Sequence, residues 1–333
     1  MKLDFYTHVA LHKSQILVRG YKNGKRVSHK ETYKPYLFVP SQTPTEYKTI
    51  HGKHVGRIDF DNVWEARKFV KDYKDVDGMT IYGMQNYVYT YIFDNFPGEI
   101  QYDADLINKV GIDIEVDAKG KFASPETAEN EITLITLNNR GSTLTLGCKP
   151  WDNSNVPNST YIQCLNEQDM LLKFLDYWGA GKWCPDVVTG YNIDVYDIPY
   201  LYNRICRILG EELANKLSPW GIIESKTFTN DFGKEQTTYN LVGIVALDYL
   251  NLYKKFAFTP QESYSLDHVC FMELGEKKTD YSEYGSLYGL QVGKVQIDES
   301  VNTITQRKAK LMDKIEKILQ DRAKNVQTPN PQR

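Results

Sequence analysis

The chain has 333 residues, enough for two domains or one large one, and its 41% hydrophobic and 25% charged residues are ordinary for a globular protein. A formal net charge of −3 excludes a polyanion bound by global charge, so any nucleic-acid contact must come from local basic patches or bound metal. No run of about 18 or more apolar residues is present, which excludes a membrane-spanning helix, and five separated cysteines without a C-x-x-C pair exclude a zinc site or disulfide framework and predict reduced thiols in the cytoplasm.

Residues 1–105 predict a mostly β domain with one helix. Gln15–Arg19 and Tyr36–Val39 read as short strands, and Asn23-Gly24 between them as a hairpin turn. A helix is expected over Asp61–Asp72, opened by Asp61 as the capping residue and carrying Val63, Ala66, Phe69 and Val70 at helical spacing. Asn95-Phe-Pro-Gly98 reads as a junction.

Residues 106–290 alternate strands and helices and predict an α/β module with a mixed sheet. The first strand is Val110-Gly-Ile-Asp-Ile-Glu-Val-Asp117, followed by a loop from Lys119 to Pro125. Side chains alternate faces along a strand, so Val110, Ile112, Ile114 and Val116 point one way and Asp113, Glu115 and Asp117 the other. Asp113 and Glu115 then share a face with Cα atoms roughly 6–7 Å apart, a spacing that lets two carboxylates converge on divalent cations. Taken alone, the triplet equally describes a half-buried edge strand with a wet acidic face.

Further strands are expected at Ile132–Leu137, Ser142–Leu146 and Val187–Gly190. Asn166 can cap a helix that presents Leu171, Phe174, Leu175 and Trp178 and stops at Gly179. A second helix carries Ile198, Leu201, Ile205, Ile208 and Leu209 and ends at Gly210, with Pro199 tolerated in its first turn. Asp197 stands where this helix begins and reads either as its N-cap or as a third carboxylate facing the Asp113 strand. Residues 223–243 suggest a long hairpin around Asp231-Phe-Gly233. Residues 291–333 form a basic tail, helical from Gln306 to Asn325 with a narrow stripe of Leu311, Ile315, Ile318 and Leu319, and disordered from Gln327.

Asp113-x-Glu115 followed by Asn192-x-x-x-Tyr196-Asp197 resembles the first two proofreading-exonuclease motifs of the family B DNA polymerases, most closely those of T-even-like bacteriophages. Tyr33–Phe38, Asp197–Arg204, Leu217-Ser-Pro219, Leu247–Phe256 and Ser263–Asp267 carry the resemblance in order over about residues 1–290. It implies a polymerase-type N-terminal domain over 1–105, a ribonuclease-H-like mixed-sheet 3′→5′ exonuclease domain over 106–290, and a divergent segment over 291–333. It implies two divalent ions, Mg²⁺ or Mn²⁺, held by the catalytic carboxylates Asp113, Glu115 and Asp197. Phe122 would stack on terminal bases, while Asn192 and Tyr196 would meet single-stranded or primer-template DNA. For a phage-encoded chain the compartment would be the host cytoplasm.

The family's third motif, a Tyr four residues before an Asp, has no match. Asp298 is preceded at that distance by Lys294, Asp313 by Ala309 and Asp321 by Lys317, which leaves Asp298 and Asp313 as surrogates. Two expectations follow: the remaining ligand comes from the polymerase-core chain of a split polymerase, or the chain is a weakly active or inactive DNA-binding and assembly module.

Overall fold

The N-terminal unit, Met1–Ile107, opens with an antiparallel meander of β1 (Phe5–His12), β2 (Gln15–Lys22) and β3 (Lys25–Thr32). This computed structural model describes residues 3–118, 122–229, 233–257 and 259–277, together with Lys310, Asp313, Glu316 and Lys317. The Asn23-Gly24 turn is present, both residues at positive φ (50° and 71°), as a tight hairpin turn requires. Its second strand is β3 rather than the segment starting at Tyr36. Lys25-Arg-Val-Ser-His-Lys-Glu-Thr32 is almost wholly polar, so a scan for apolar alternation passes over it.

A second small sheet, ordered β4-β6-β5, is built from β4 (Tyr36–Pro40), β5 (Tyr47–Lys48) and β6 (His54–Asp59). The helix α1 (Val63–Tyr73) is capped by Asn62, one residue later than Asp61. Asn62 accepts from the Glu65 amide while the Glu65 carboxylate accepts from the Asp61 amide. The helix α2 (Tyr87–Asn95) is tied to the sheets by Asp94, which accepts from the Tyr33 and Tyr36 hydroxyls at 2.7 and 3.0 Å.

The second unit, Asn108–Arg333, is organised by a six-stranded sheet. In chain order its elements are β7 (Lys109–Val116), β8 (Ile132–Asn139), β9 (Ser142–Gly147), β10 (Ser159–Gln163), α3 (Glu167–Gly179), β11 (Val187–Gly190), α4 (Asp197–Leu209), α5 (Glu211–Ala214), β12 (Ile223–Thr229), β13 (Glu235–Leu241), β14 (Val245–Asp248), α6 (Tyr249–Phe256) and α7 (Leu266–Leu274). The sheet runs β10-β9-β8-β7-β11-β14. The β7–β8 and β8–β9 pairs are antiparallel, while β10 lies parallel to β9, and β11 lies parallel to both β7 and β14. The acidic triplet is therefore on an interior strand, not an edge.

Burial along β7 alternates as the sequence predicts: Val110, Ile112, Ile114 and Val116 are buried, and Asp113 and Glu115 are not. The apolar side joins α3 (Met170, Leu171, Phe174, Trp178) and α4 (Ile198, Leu201, Ile205) in one core cluster. The hairpin expected over 223–243 is β12 paired antiparallel with β13. The five cysteines are free, and among the described residues no helix is long and apolar enough to cross a membrane. Asp298, the loop residues 119–121 and most of the basic tail lie outside the described residues.

One buried ion pair fastens the helices to the sheet. Arg204 of α4 meets both Glu167 oxygens, at 2.8 and 2.6 Å, and donates to the Ala128 and Glu129 carbonyls. Glu167 also accepts from the Ile132 amide, where β8 begins. Breaking a buried pair leaves an uncompensated charge at about 3–5 kcal/mol. Arg204→Met should therefore lower the melting temperature of the second unit by on the order of 10 °C. Lys173→Met, which breaks the solvent-screened pair with Asp169 in α3, should leave the melting temperature close to that of the wild type. Differential scanning calorimetry separates the two; equal effects would contradict this account.

Candidate functional site

The site lies at the carboxyl ends of three parallel strands, β7, β11 and β14, where open α/β sheets leave a crevice. The ladder between β11 and β7 stops with Thr189 opposite Gly111. Beyond it the chain must turn away from β7 against a close neighbour. A Cβ on Gly190 would lie 2.8 Å from the Ile112 carbonyl oxygen and would overlap Ile193, so the position has room only for glycine.

Asp197 then takes over from the missing strand. Its Oδ1 accepts from the Ile114 amide at 3.1 Å, and the residue is buried. The N-cap of α4 is Tyr196, and no side chain makes a capping bond there. Asp197 is thus the first helical residue, and its carboxylate is directed to β7. That hydrogen bond brings it to the peptide joining Asp113 to Ile114, on the strand that carries both Asp113 and Glu115.

Asp248, at the end of β14, holds the turn between β11 and α4. It accepts from the Asn192 amide at 2.8 Å, the Asp194 amide at 3.1 Å and the Leu250 amide at 2.9 Å. Asn192 has φ 66°, a left-handed conformation that asparagine tolerates better than most residues. Burial first, and the Asp248 charge second, push the Asp194 carboxyl up to about 6. Asn251 partly offsets this by donating to Asp194 Oδ2 at 3.0 Å.

Phe122 is 74% exposed on the loop after β7, with its ring 6.0 Å from Tyr196, which in turn lies 5.7 Å from Tyr200. Phe122, Tyr196 and Tyr200 thus form an aromatic ladder whose middle ring directly precedes Asp197 in the chain. Asn192 is near in sequence and shares the turn, where its carbonyl accepts from the Tyr196 amide at 3.1 Å.

Lys109 shares the face of Asp113 and Glu115 by alternation along β7. Its ammonium pairs with Glu316 at 3.4 Å, and the same Glu316 oxygen accepts from the Tyr249 hydroxyl at 3.0 Å. Burial raises the Tyr249 phenol far above its usual range, and the Glu316 and Asp313 charges add to the shift. Among the described residues, no three His, Cys, Asp or Glu side chains converge as a ready metal-binding group.

The sequence did not single out Asp194, Asp248 or Glu316. Asp248 does have a local signal, since it stands before α6 and caps it through Leu250. Its bonds to Asn192 and Asp194 span more than fifty residues and have none.

A model of the DNA polymerase family B exonuclease domain matches residues 86–269. The DNA-directed DNA polymerase of Escherichia phage RB69 is 33% identical over 287 residues, covering 78% of this chain and 31% of its own length. That of Enterobacteria phage T4 is 32% identical over 341 residues, covering 94% of this chain and 37% of its own. The DNA polymerase catalytic subunit of Psittacid herpesvirus 1 is 31% identical over 123 residues, or 36% of this chain. The chain spans about a third of the length of the two phage relatives.

The Asp194 carboxyl yields a prediction with a definite sign. Its folded-state pKa of about 6 exceeds the ordinary 3.8, so its ionisation opposes folding. The unfavourable contribution is absent below about pH 4 and complete above the folded-state value. Asp194→Asn, which can still accept from Asn251, should raise the melting temperature at about pH 7.5 by roughly 2–4 °C. The gain should vanish by about pH 4. Melting curves of both proteins across this range test it, and a gain independent of pH would refute the assignment.

Proposed function

The chain belongs to the family B DNA polymerases, and on that footing we propose that its second unit is a metal-dependent 3′→5′ exonuclease acting on the single-stranded end of DNA. One observation carries the reading: the buried Asp197 bonds to β7 at the residue between Asp113 and Glu115. The carboxylate of α4 is thereby joined to the strand that carries the other two. The mixed sheet agrees with the ribonuclease-H-like fold of the family's exonuclease domain, and such domains depend on divalent metal.

The donor set fits that requirement. Asp113, Glu115 and Asp197 offer only hard oxygen ligands, which suit Mg²⁺ or Mn²⁺. Two such ions, when bound, supply a hydroxide at neutral pH and neutralise charge on the phosphodiester and the leaving 3′-oxygen. The protein's part is positioning. Asp197 is fixed through Ile114, so one ligand is held before any cation arrives. Asp113 and Glu115 stand on the polar face of the strand. Phe122 and Tyr196 would stack the terminal bases, and Asn192 would hydrogen-bond the strand.

The fourth carboxylate of this reading is Asp313. It acts electrostatically on Tyr249, and one helical turn later Glu316 bonds to both Tyr249 and Lys109. Those contacts bring Glu316 to Lys109, which shares a face of β7 with Asp113 and Glu115. Ala309 stands where the family's third motif has a tyrosine, so the group that orients water in that motif is lacking. This lack favours a second reading, a module that holds DNA but hydrolyses it slowly or not at all. In that reading the chain serves beside a polymerase core.

Digestion of 5′-labelled single-stranded DNA with Mn²⁺ separates the readings. The wild-type chain should shorten the label stepwise from the 3′ end and stop with EDTA. Asp113→Ala should lose about 10²-fold or more of the rate. Asp313→Asn should lose about 10–100-fold, as removal of a supporting metal partner does. Activity unchanged by Asp113→Ala would sink the exonuclease reading. Unchanged activity in Asp313→Asn alone would remove only the fourth ligand. Tight DNA binding without digestion would favour the holding module.

A further inference from the structure

Asp248 is buried at the end of β14, opposite Gly190 of β11. Among the described residues its partners are three backbone amides. Oδ1 accepts from Asn192 and Leu250, and Oδ2 accepts from Asp194. A carboxylate in such a place is costly unless donors supply its oxygens. Three N–H groups converging on one side chain also account for the residue type. Asparagine has nearly the same shape but would turn an NH2 group on one of the three donors. Asn251 of α6 adds a further tie to the same turn, donating to Asp194 Oδ2 at 3.0 Å.

The bonds do not end at the turn. The Asn192 carbonyl accepts from the Tyr196 amide, and the Ile193 carbonyl accepts from the Ile198 amide, both at 3.1 Å. These amides belong to the residues on either side of Asp197. The backbone at Asp197 is therefore suspended from the turn that Asp248 holds, while its carboxylate is fastened to the Ile114 amide of β7. Asn192 stands at φ 66°, a conformation that a non-glycine residue keeps only where its surroundings hold it. The bond from its amide to Asp248 is part of that hold. A cation ligand has to be kept within about 0.5 Å of its working position. We propose that Asp248 is a positioning residue of the metal site. Through the Asn192–Asp194 turn it sets where Asp197 stands, and thereby the affinity for divalent ions, without touching an ion itself. The proposal rests on the nuclease reading for Asp197 as a ligand, not for the chain of hydrogen bonds.

Metal binding, read without turnover, tests it. The full chain is titrated with Mn²⁺ and the free ion is followed by electron paramagnetic resonance, below the melting transition of every variant. Asp248→Asn keeps an acceptor for Asn192 and Leu250 and sets a donor against the Asp194 amide. Its Kd for Mn²⁺ should rise about 10–100-fold, the loss that follows removal of a supporting partner of a metal ligand. The Mn²⁺ concentration for half-maximal digestion of 5′-labelled single-stranded DNA should rise in parallel, and the rate should recover toward wild type at saturating Mn²⁺. Asn251→Ala removes the exposed tie to the same turn, leaves the buried bonds in place, and should shift Kd in the same direction by a smaller factor. Phe174→Leu, which opens a gap in the core at α3, controls for stability: it should melt earlier and bind Mn²⁺ as wild type does. Wild-type affinity in Asp248→Asn, or in Asn251→Ala where the first variant does not fold, overturns the proposal and leaves the nuclease reading intact. So does a Phe174→Leu chain that loses as much affinity as Asp248→Asn. A wild-type chain that binds Mn²⁺ but cuts no DNA overturns the nuclease reading, and the shift in Kd then decides the proposal alone. A wild-type chain that binds no Mn²⁺ overturns both.

Discussion

The second unit depends on how one strand is finished. β7 is paired with β8 from Gly111 to Val116, but β11 leaves it at Gly111, and a buried strand cannot leave its next amide unpaired at low cost. The Asp197 carboxylate completes the ladder by accepting from Ile114. A hydrogen bond to a charged group contributes about 1.5–3 kcal/mol, more than a neutral backbone bond. The bond also fixes where α4 begins, since Asp197 is its first residue. Gly190 is required for the same closure because its neighbour is the Ile112 carbonyl. The helix start, the strand end and the third carboxylate are thus parts of one joint.

A second joint keeps the first in place. Asp248 gathers three amides, two from the β11–α4 turn and one from α6, so the turn behaves as an extension of β14. This crowding of carboxylates has an electrostatic consequence at Asp194, whose ionisation is opposed both by burial and by Asp248. Arg204 supplies the opposite charge deeper in the unit and reaches the loop before β8 as well as α3. With a net charge of −3, the chain has no general attraction for nucleic acid. Contact with a polyanion would then fall to local cations or to bound metal.

Much of this was legible in the residues because period and chemistry coincide. β7 alternates without exception from Val110 to Val116, and a strand whose polar positions are Asp and Glu tells both its structure and its chemistry. The same logic fails where one pattern serves two conformations. Tyr87-Val-Tyr-Thr-Tyr-Ile-Phe-Asp-Asn95 is rich in aromatic and β-branched residues, which favour strands, yet it forms α2 because Asn86 caps it and Asp94 meets two tyrosines. β3 escaped notice because it is polar on both faces. Asp197 was ambiguous for a different reason. An aspartate at a helix start can cap its own helix or reach across to another strand, and only the distance between α4 and β7 decides which.

The parts of the candidate site differ in how rigidly they are held, and the difference follows their tasks. Groups that would set the position of a cation must be fixed before it binds, because the geometry tolerated there is narrow. Asp197, only 4% exposed, is tied to a backbone amide of β7, and the equally buried Asp248 holds the turn that leads to it. Groups that would receive a flexible strand need exposed surface instead. Phe122, at 74% exposure, has it. Between these extremes lies Tyr196, half-buried, in ring contact with Phe122 and immediately before Asp197 in the chain. A base that stacked on Phe122 would press on Tyr196, and through it on the first residue of α4. On the proposed reading, the tyrosine that would meet the strand and the aspartate that would hold a cation are adjacent links of one backbone, so the placement of a substrate would be felt at that carboxylate.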